Sequence, residues 1–486
     1  MKPVSRHGLL AVLSAFALAT PVSAEESAAA PEAAPPSETK PVDAAKPDDG
    51  GKKKDKKKKD KKKKDKDKDG KKDSDKEKEH KAKSAPEDAK GGLPAKDAPE
   101  EKPSNGNWCE WLSNDPGTLY ENKDNPWLQA FRIGGRFQYQ VSYQDGSDVN
   151  GRDYHDTYDE YRRFRIETRT KFLRYFTMEM DVNLVNDSRY DSPPGDELDW
   201  GYDDFDTATF EFDIAKAFGA PLDDLKLVWG KMKMPITEEQ RQSSKSIYTI
   251  ERSLLSNKLG GDESRPTGFM LEAAKGDWSG LLGVFSGEDD SDFIGGWNDG
   301  ETYFASLTWQ PDKDFSLTLD YATTHRSGSD DALGYRSAIA LGSTYDKKRW
   351  GIQTSLIYGD NGFGDPTDKP KNRVNRQGDF YGVTVMPWYW LMEDRLQLVF
   401  RYEYAGSDES EGLRLESRYI RSEHNDPLVN VNGGRGDRYN ACYLGLNYYL
   451  CGDNAKIMGG ILYEDLETPA GGLDALTYTI AFRTAF

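Results

Sequence analysis

Apolar and polar side chains alternate from Leu128 onward with the period of a pleated strand. Phe131, Ile133, Phe137, Tyr139, Val141 and Tyr143 fall on one face of the first segment, with Arg132, Arg136, Gln138, Gln140 and Ser142 on the other. The second sets Phe164, Ile166 and Phe172 against Arg163, Arg165, Glu167, Arg169 and Lys171, and the third sets Phe176, Met178, Met180, Val182 and Leu184 against Thr177, Glu179, Asp181 and Asn183. Sixteen strands are predicted, near 128–143, 160–172, 175–184, 207–214, 225–231, 266–274, 277–285, 301–309, 315–324, 335–345, 348–358, 378–387, 395–404, 439–450, 455–464 and 476–486. Long connections follow the odd-numbered strands and short ones the even-numbered, which puts long loops on one rim and tight turns on the other. In a soluble sandwich the apolar face would cover a core; in a membrane barrel it meets lipid while the polar face lines water. The predicted class is all-β, a sixteen-stranded antiparallel transmembrane β-barrel.

The last strand supports closure in a membrane. Leu476, Tyr478, Ile480, Phe482 and Phe486 share one face with Thr484, opposite Thr477, Thr479, Ala481, Arg483 and Ala485. Soluble chains seldom stop on an apolar residue inside a strand, because termini fray, so Phe486 is a candidate assembly signal for the bacterial barrel-insertion machinery. Trp309, Trp350, Trp388, Trp390, Tyr448 and Tyr449, near predicted strand ends, suit interfacial aromatic girdles.

The first hundred residues change the picture. Lys2 and Arg6 precede an apolar run from Leu9 to Ala19, and Val22-Ser23-Ala24 supplies small residues at a cleavage site, so residues 1–24 are expected to be a secretory signal peptide. The run is shorter than the roughly 18 apolar residues that a membrane-spanning helix needs. Residues 25–107 are rich in Lys, Asp, Ala and Pro and hold almost no large apolar side chain, so they are expected to form a disordered periplasmic arm. Lys52 to Lys72 alone contain fifteen lysines against five aspartates. Such a tract acts as a solvated spacer or binds anionic polymer such as peptidoglycan or lipid headgroups. Residues 108–486 form the predicted barrel.

Charge and cysteine content exclude several classes. The mean hydropathy of -0.83 would ordinarily indicate a soluble protein, and only the hidden alternation argues otherwise. Residues 108–486 hold 40 Lys+Arg against 63 Asp+Glu, a balance of about -23. That disfavours nucleic acid as a partner. Any anion preference must therefore come from where the basic residues sit. Cys109, Cys442 and Cys451 are too few for a disulfide-stapled scaffold; one must lack a partner within the chain, and ordinary, non-catalytic thiols are the expectation. No Cys/His cluster suggests a metal site, and nothing calls for a cofactor. Beyond the arm the histidines are His155, His325 and His424, all in predicted loops, and no G-x-S-x-G occurs, so an enzyme is not expected.

Arg132, Arg136, Arg163, Arg165, Arg169 and Lys171, on the polar face of two adjacent strands, would form a basic, anion-guiding stripe, with Arg395 and Arg401 projecting from the thirteenth strand. Glu167, Glu179 and Asp181 stand close enough to neutralise part of it.

Trp229 to Glu239 (W-G-K-M-K-M-P-I-T-E-E), Ile250 to Leu255 (I-E-R-S-L-L), Arg265 to Phe269 (R-P-T-G-F) and Leu444 to Leu450 (L-G-L-N-Y-Y-L) resemble motifs of the phosphate-selective porin O and P family, and the F-R-T-A-F ending is family-like. The resemblance implies a homotrimeric outer-membrane porin whose third long loop folds inward to narrow the channel. Here that loop would be about Met232 to Arg265, its basic residues Lys233, Arg241, Lys245, Arg252, Lys258 and Arg265 offering charge to a phosphate that must shed water. Lys231 and Lys233 share parity with Leu227 and Trp229, so a bulge is needed to turn them inward. The function expected is a water-filled channel in the bacterial outer membrane for small solutes, anions such as phosphate above all, with lipid and lipopolysaccharide around it. A general or cation-preferring pore remains open, as does a structural barrel gripping the cell wall through its arm, with acidic loop residues such as Asp289, Asp290 and Asp292 binding divalent ions or lipopolysaccharide.

Overall fold

The computed structural model describes residues 107–114, 116–186, 199–260, 265–286, 297, 300–326, 333–362, 378–415, 417–422 and 424–486. The expected signal peptide, the expected arm and Asp289, Asp290 and Asp292 lie outside them. Among the described residues sixteen antiparallel strands close into a barrel. They are β1 (Leu128–Ser147), β2 (Asp153–Phe172), β3 (Phe176–Asn183), β4 (Phe205–Asp213), β5 (Asp224–Lys231), β6 (Thr267–Lys275), β7 (Trp278–Ser286), β8 (Gly300–Asp312), β9 (Phe315–Arg326), β10 (Ser337–Asp346), β11 (Trp350–Asp360), β12 (Asp379–Met392), β13 (Leu396–Ser407), β14 (Arg438–Tyr449), β15 (Ala455–Thr468) and β16 (Gly471–Ala485). Each pairs with its sequence neighbours, and β16 pairs with β1 from Ala485–Arg136 to Asp474–Ser147. All sixteen predicted strands are present.

Alternation sets the two faces as expected. Tyr478, Ile480 and Phe482 are exposed outward, while Thr477, Thr479, Ala481 and Arg483 between them are buried inward. Trp309, Trp350 and Tyr448 are exposed near the short-turn rim, joined by Trp278 and Tyr389. Trp388 and Tyr449 instead turn inward and are buried. Trp388 stacks on Tyr248 with centroids 4.4 Å apart, and Trp390 lies beside Tyr449. Nearness to a strand end was a poor guide for these three, because parity decides the face.

Two long connections expected from the sequence are strand instead. β1 and β2 each run for 20 residues and are joined by 148–152, while β15 and β16 meet at 469–470. Twenty residues span about 65 Å at about 3.3 Å per residue, twice a hydrocarbon core, so this hairpin projects far past the bilayer.

At the short-turn rim the chain doubles back on its own start. A short strand, Thr118–Glu121, pairs with Arg132–Ala130 on the part of the β1 edge that β16 leaves open. Before it, the helix Asn107–Ser113 is fastened by a Cys109–Cys451 disulfide to the turn between β14 and β15. The expectation of ordinary thiols therefore fails for two of the three cysteines, because a separation of 342 positions in sequence hides a closeness that only barrel closure creates. Cys442 is free.

Candidate functional site

The interior is narrowed by chain as well as by strands. At Gly230 the backbone takes φ +126, and a Cβ there would lie 2.1 Å from the Ala208 carbonyl oxygen. Glycine thus lets β5 end close against β4, and the chain leaves the wall at Lys231. The bulge expected in β5 is absent; strand termination does its work. Lys231 lies 3.8 Å from Asp204, and Lys233 is already on the in-turned loop.

This loop, 232–266, is covered along most of its length. Met232, Met234, Ile236, Leu254, Leu255 and Leu259 join a buried apolar cluster with residues of the wall. Thr237 of this loop sits at φ 76, a costly conformation for a β-branched residue. The Thr237 amide donates to Asp320, and its hydroxyl shares a hydrogen bond with Ser256.

Charged pins fix the loop to strands all around the barrel. Arg401 Nη1 lies 3.2 Å from Glu239 and donates to the Glu251 carbonyl, both side chains of the Arg401–Glu239 pair being nearly inaccessible. Arg241 grips Asp320 of β9 with both terminal nitrogens. Lys245 binds Glu167 of β2 at 2.6 Å, and Arg265 binds Asp206 of β4 at 2.9 Å. Arg252 donates to the carbonyls of Glu239 and Gln242, and Lys258 to Asn361. From the wall, Arg483 donates to the carbonyls of Ser244 and Ile250, and Lys456 to that of Ile247. Most residues expected to offer charge to a solute thus hold the loop.

The basic stripe of β1 and β2 forms as expected, with pairs Arg132–Arg169 and Arg136–Arg165 across the strands. Ion pairs take up much of it. Arg136 lies 2.5 Å from Glu167, Arg165 lies 2.6 Å from Asp206, and Arg169 lies 3.8 Å from Glu179. Lys171 stands opposite Ala130 toward the short-turn rim. Arg395 is not on a strand; it lies in the turn before β13, so only Arg401 of that pair faces the lumen.

A bulge in β2 adds what the sequence reading missed. Gln138 opposes Arg163 and Tyr139 opposes Tyr161, which leaves Arg162 as the extra residue. Arg162 turns inward and binds Glu251 through Nε at 2.9 Å. The signal was present: inward parity is even at Asp156 and Glu160 and odd at Arg163 and Arg165, and such a flip needs an inserted residue. Burial pushes the Glu251 carboxyl up, but Arg162 and Arg163 outweigh it and hold it below the usual carboxylate range.

Two cations stand apart. Arg163 donates to Gln138 at 2.9 Å and has no carboxylate within 4 Å among the described residues, Glu251 acting on it from farther away. Lys233 has neither an ion pair nor a hydrogen bond among them, and its charged neighbours are Arg252, Arg265, Asp206 and Arg163. Burial first, and then Arg252 and Arg265, depress its ammonium well below the usual lysine range. Lys233 lines a cavity of about 180 Å³ whose other walls include Glu179, Glu211 and Glu272 and three threonines.

A second long segment, 408–437, also folds into the mouth, which was not expected. Its Leu413, Leu415 and Ile420 are buried with Leu466, Leu473 and Ala475 of the projecting hairpin β15–β16. Arg418 and Tyr419 both bind Glu160.

Residues 131–338 match the family model described as phosphate-selective porin O and P. The resemblance carried by the motifs between Trp229 and Phe269 is borne out; Leu444 to Leu450 and the chain end lie outside the matched residues. With its closed barrel, the chain is an outer-membrane channel of the porin kind. No curated protein matches the sequence. Among solved structures, the porin chain is similar to the outer membrane channel DcaP of Acinetobacter baumannii at 11% identity, covering 76% of this chain and 100% of that one, with a TM-score of 0.48. It is similar to outer-membrane expressed OmpT of Vibrio cholerae at 10% identity over 76% and 100%, with a TM-score of 0.45. It is also similar to an anion-selective porin from Comamonas acidovorans at 10% identity over 73% and 99%, with a TM-score of 0.45. Likenesses this distant say nothing about the solute or the partners of this chain.

Proposed function

We propose that this porin passes small anionic solutes, inorganic phosphate among them, and that Arg163 and Lys233 are the groups that guide them. The observation that carries the proposal is the lack of a carboxylate partner at these two positions, in an interior where the other arginines of the stripe largely have one. An anion arriving at Lys233 replaces lost water and relieves repulsion from Arg252 and Arg265, so it gains more there than beside a neutralised pair. Paired neighbours such as Arg265 offer a weaker second contact, which suits stepwise passage without trapping. In the test, phosphate is added to a single channel carrying chloride current. Concentration-dependent block in the wild type, reduced in Lys233→Gln, supports phosphate as a solute; no block limits the channel to other ions.

Glu179, Glu211 and Glu272 on the same cavity support a second reading, a general or cation-preferring pore. Cation preference in the wild type would select it.

The remaining assignments are part of the same proposal. Residues 1–24 act as a cleaved signal, and 25–107 as a periplasmic arm whose lysines reach anionic polymer such as peptidoglycan. The barrel works as a homotrimer among lipid and lipopolysaccharide, with Phe486 as its assembly signal. The disulfide at Cys109 favours a tethering role beside the channel, since it fixes the root of the arm to the rim.

A further inference from the structure

The segment 408–437 is held differently from the constriction loop, and one of its contacts depends on a proton. His424 and Asp156 of β2 are both almost inaccessible, with Nδ1 and Oδ2 2.7 Å apart. The other ring nitrogen, Nε2, lies 3.0 Å from the Ile420 carbonyl oxygen. A carbonyl oxygen only accepts, and so does a carboxylate. A neutral imidazole has one N–H and cannot donate to both. The arrangement is satisfied only when imidazole and carboxyl together hold one proton beyond neutral histidine and ionised aspartate, whichever of the two carries it.

Acidic groups surround the pair. Asp156 Oδ1 is occupied by the amide and the side chain of Asn425, at 3.0 and 2.8 Å. The Tyr154 ring meets His424 edge-on at 4.6 Å, and the charged neighbours of Tyr154 are Glu464, Asp156, Asp474 and Asp148, all acidic. The nearby cations of the segment and the hairpin are committed elsewhere: Arg152 to Asp426 at 3.0 Å, and Arg418 to Glu160 at 2.8 Å. Asp148 itself accepts the Asn430 amide at 2.8 Å.

We propose that 408–437 is a proton-latched lid over the channel mouth, held inward while the His424–Asp156 pair keeps its extra proton and loosened when that proton leaves. The sign follows from linkage. The inward state binds one more proton than a released one, so acid favours closure and rising pH favours release. The lid packs on β2 and on the β15–β16 hairpin and is separate from the constriction loop, so its release widens the mouth and leaves the narrow section in place.

The test is single-channel recording in symmetric 1 M KCl, where fixed charges act over only about 3 Å and cannot mimic gating through the ion atmosphere. Conductance of the wild type should rise, with fewer closures, as pH is raised from about 5 to about 8. His424→Gln should behave at low pH as the wild type does at high pH and lose the dependence. Asp156→Asn, which keeps the shape and removes the charge, should lose it as well. Heat-modifiable migration on gels would show that both variants fold. A flat wild-type response, or a full pH response in folded His424→Gln, would overturn the latch.

Discussion

Two neighbouring stretches of the inner wall differ in charge and face the same narrow passage. β1 and β2 present Arg136, Arg162, Arg163, Arg165 and Arg169, whereas β3, β4 and β6 present Glu179, Glu211 and Glu272. Counting charges would call the first a path for anions and the second a path for cations. The contacts say otherwise for most of these arginines. Arg136, Arg162, Arg165 and Arg169 each have a carboxylate within 4 Å; the Arg162–Glu251 pair ties the loop to the wall, the other three tie strand to strand, and each leaves less field for a passing ion than a lone cation would. What distinguishes the basic side is the pair of cations left over, Arg163 and Lys233.

The largest effect should come from breaking a pin. Arg401→Gln leaves Glu239 buried without its cation, a loss of about 3–5 kcal/mol for a pair this inaccessible. The loop should leave its inward position, and single-channel conductance should rise severalfold. Unchanged conductance would mean that Arg401 is not what holds the loop.

Next in size, deletion of Phe486 removes contacts that close the barrel. Its amide donates to the Gly135 carbonyl at 3.1 Å, and its own carbonyl accepts from Gly135 at 3.3 Å. Assembled, heat-modifiable protein in the outer membrane should fall sharply; normal levels would remove the assembly role.

A smaller shift is expected from pH alone. Because Lys233 is depressed well below an ordinary lysine by burial and by Arg252 and Arg265, its charge is present at low pH and is lost as pH rises through that lowered value. Anion preference should therefore weaken on the alkaline side in the wild type and not in Lys233→Gln. The lid alters conductance in concentrated salt, whereas Lys233 alters selectivity in a gradient, so the two responses separate.

The smallest effect belongs to exposed acids. Neutralising Glu409 should barely move ion preference, since its charge is screened within about 8 Å at physiological salt. Asp191, Asp196 and Glu197 lie outside the described residues, and the same screening argument applies to Asp203 on their loop. A large change from any of these would return the weight to net charge.

Strand number and the two faces were legible in the sequence because alternation is a local property that each segment states for itself, whereas the inward third loop was implied only by the family resemblance of the motifs. Arg162 was missed although the parity flip inside β2 announced it. The Cys109–Cys451 bridge and the inward course of 408–437 were not legible, since both depend on which distant strands the closed barrel brings together. The same holds for the basic candidates. Sequence places Arg165 and Arg401 on the inner face, but only the register of β2 and the course of the loop show that Asp206 and Glu239 neutralise them.

The central claim is that uncompensated cations, and not the acidic total, set ion preference. The most direct measurement is the reversal potential of single channels in a KCl gradient, for the wild type, Arg163→Gln with Lys233→Gln, and Arg165→Gln with Arg169→Gln. The account predicts anion preference in the wild type, a clear shift toward cations in the first double variant and a smaller one in the second. A cation-selective wild type, or a first double variant whose reversal potential does not move, would contradict it.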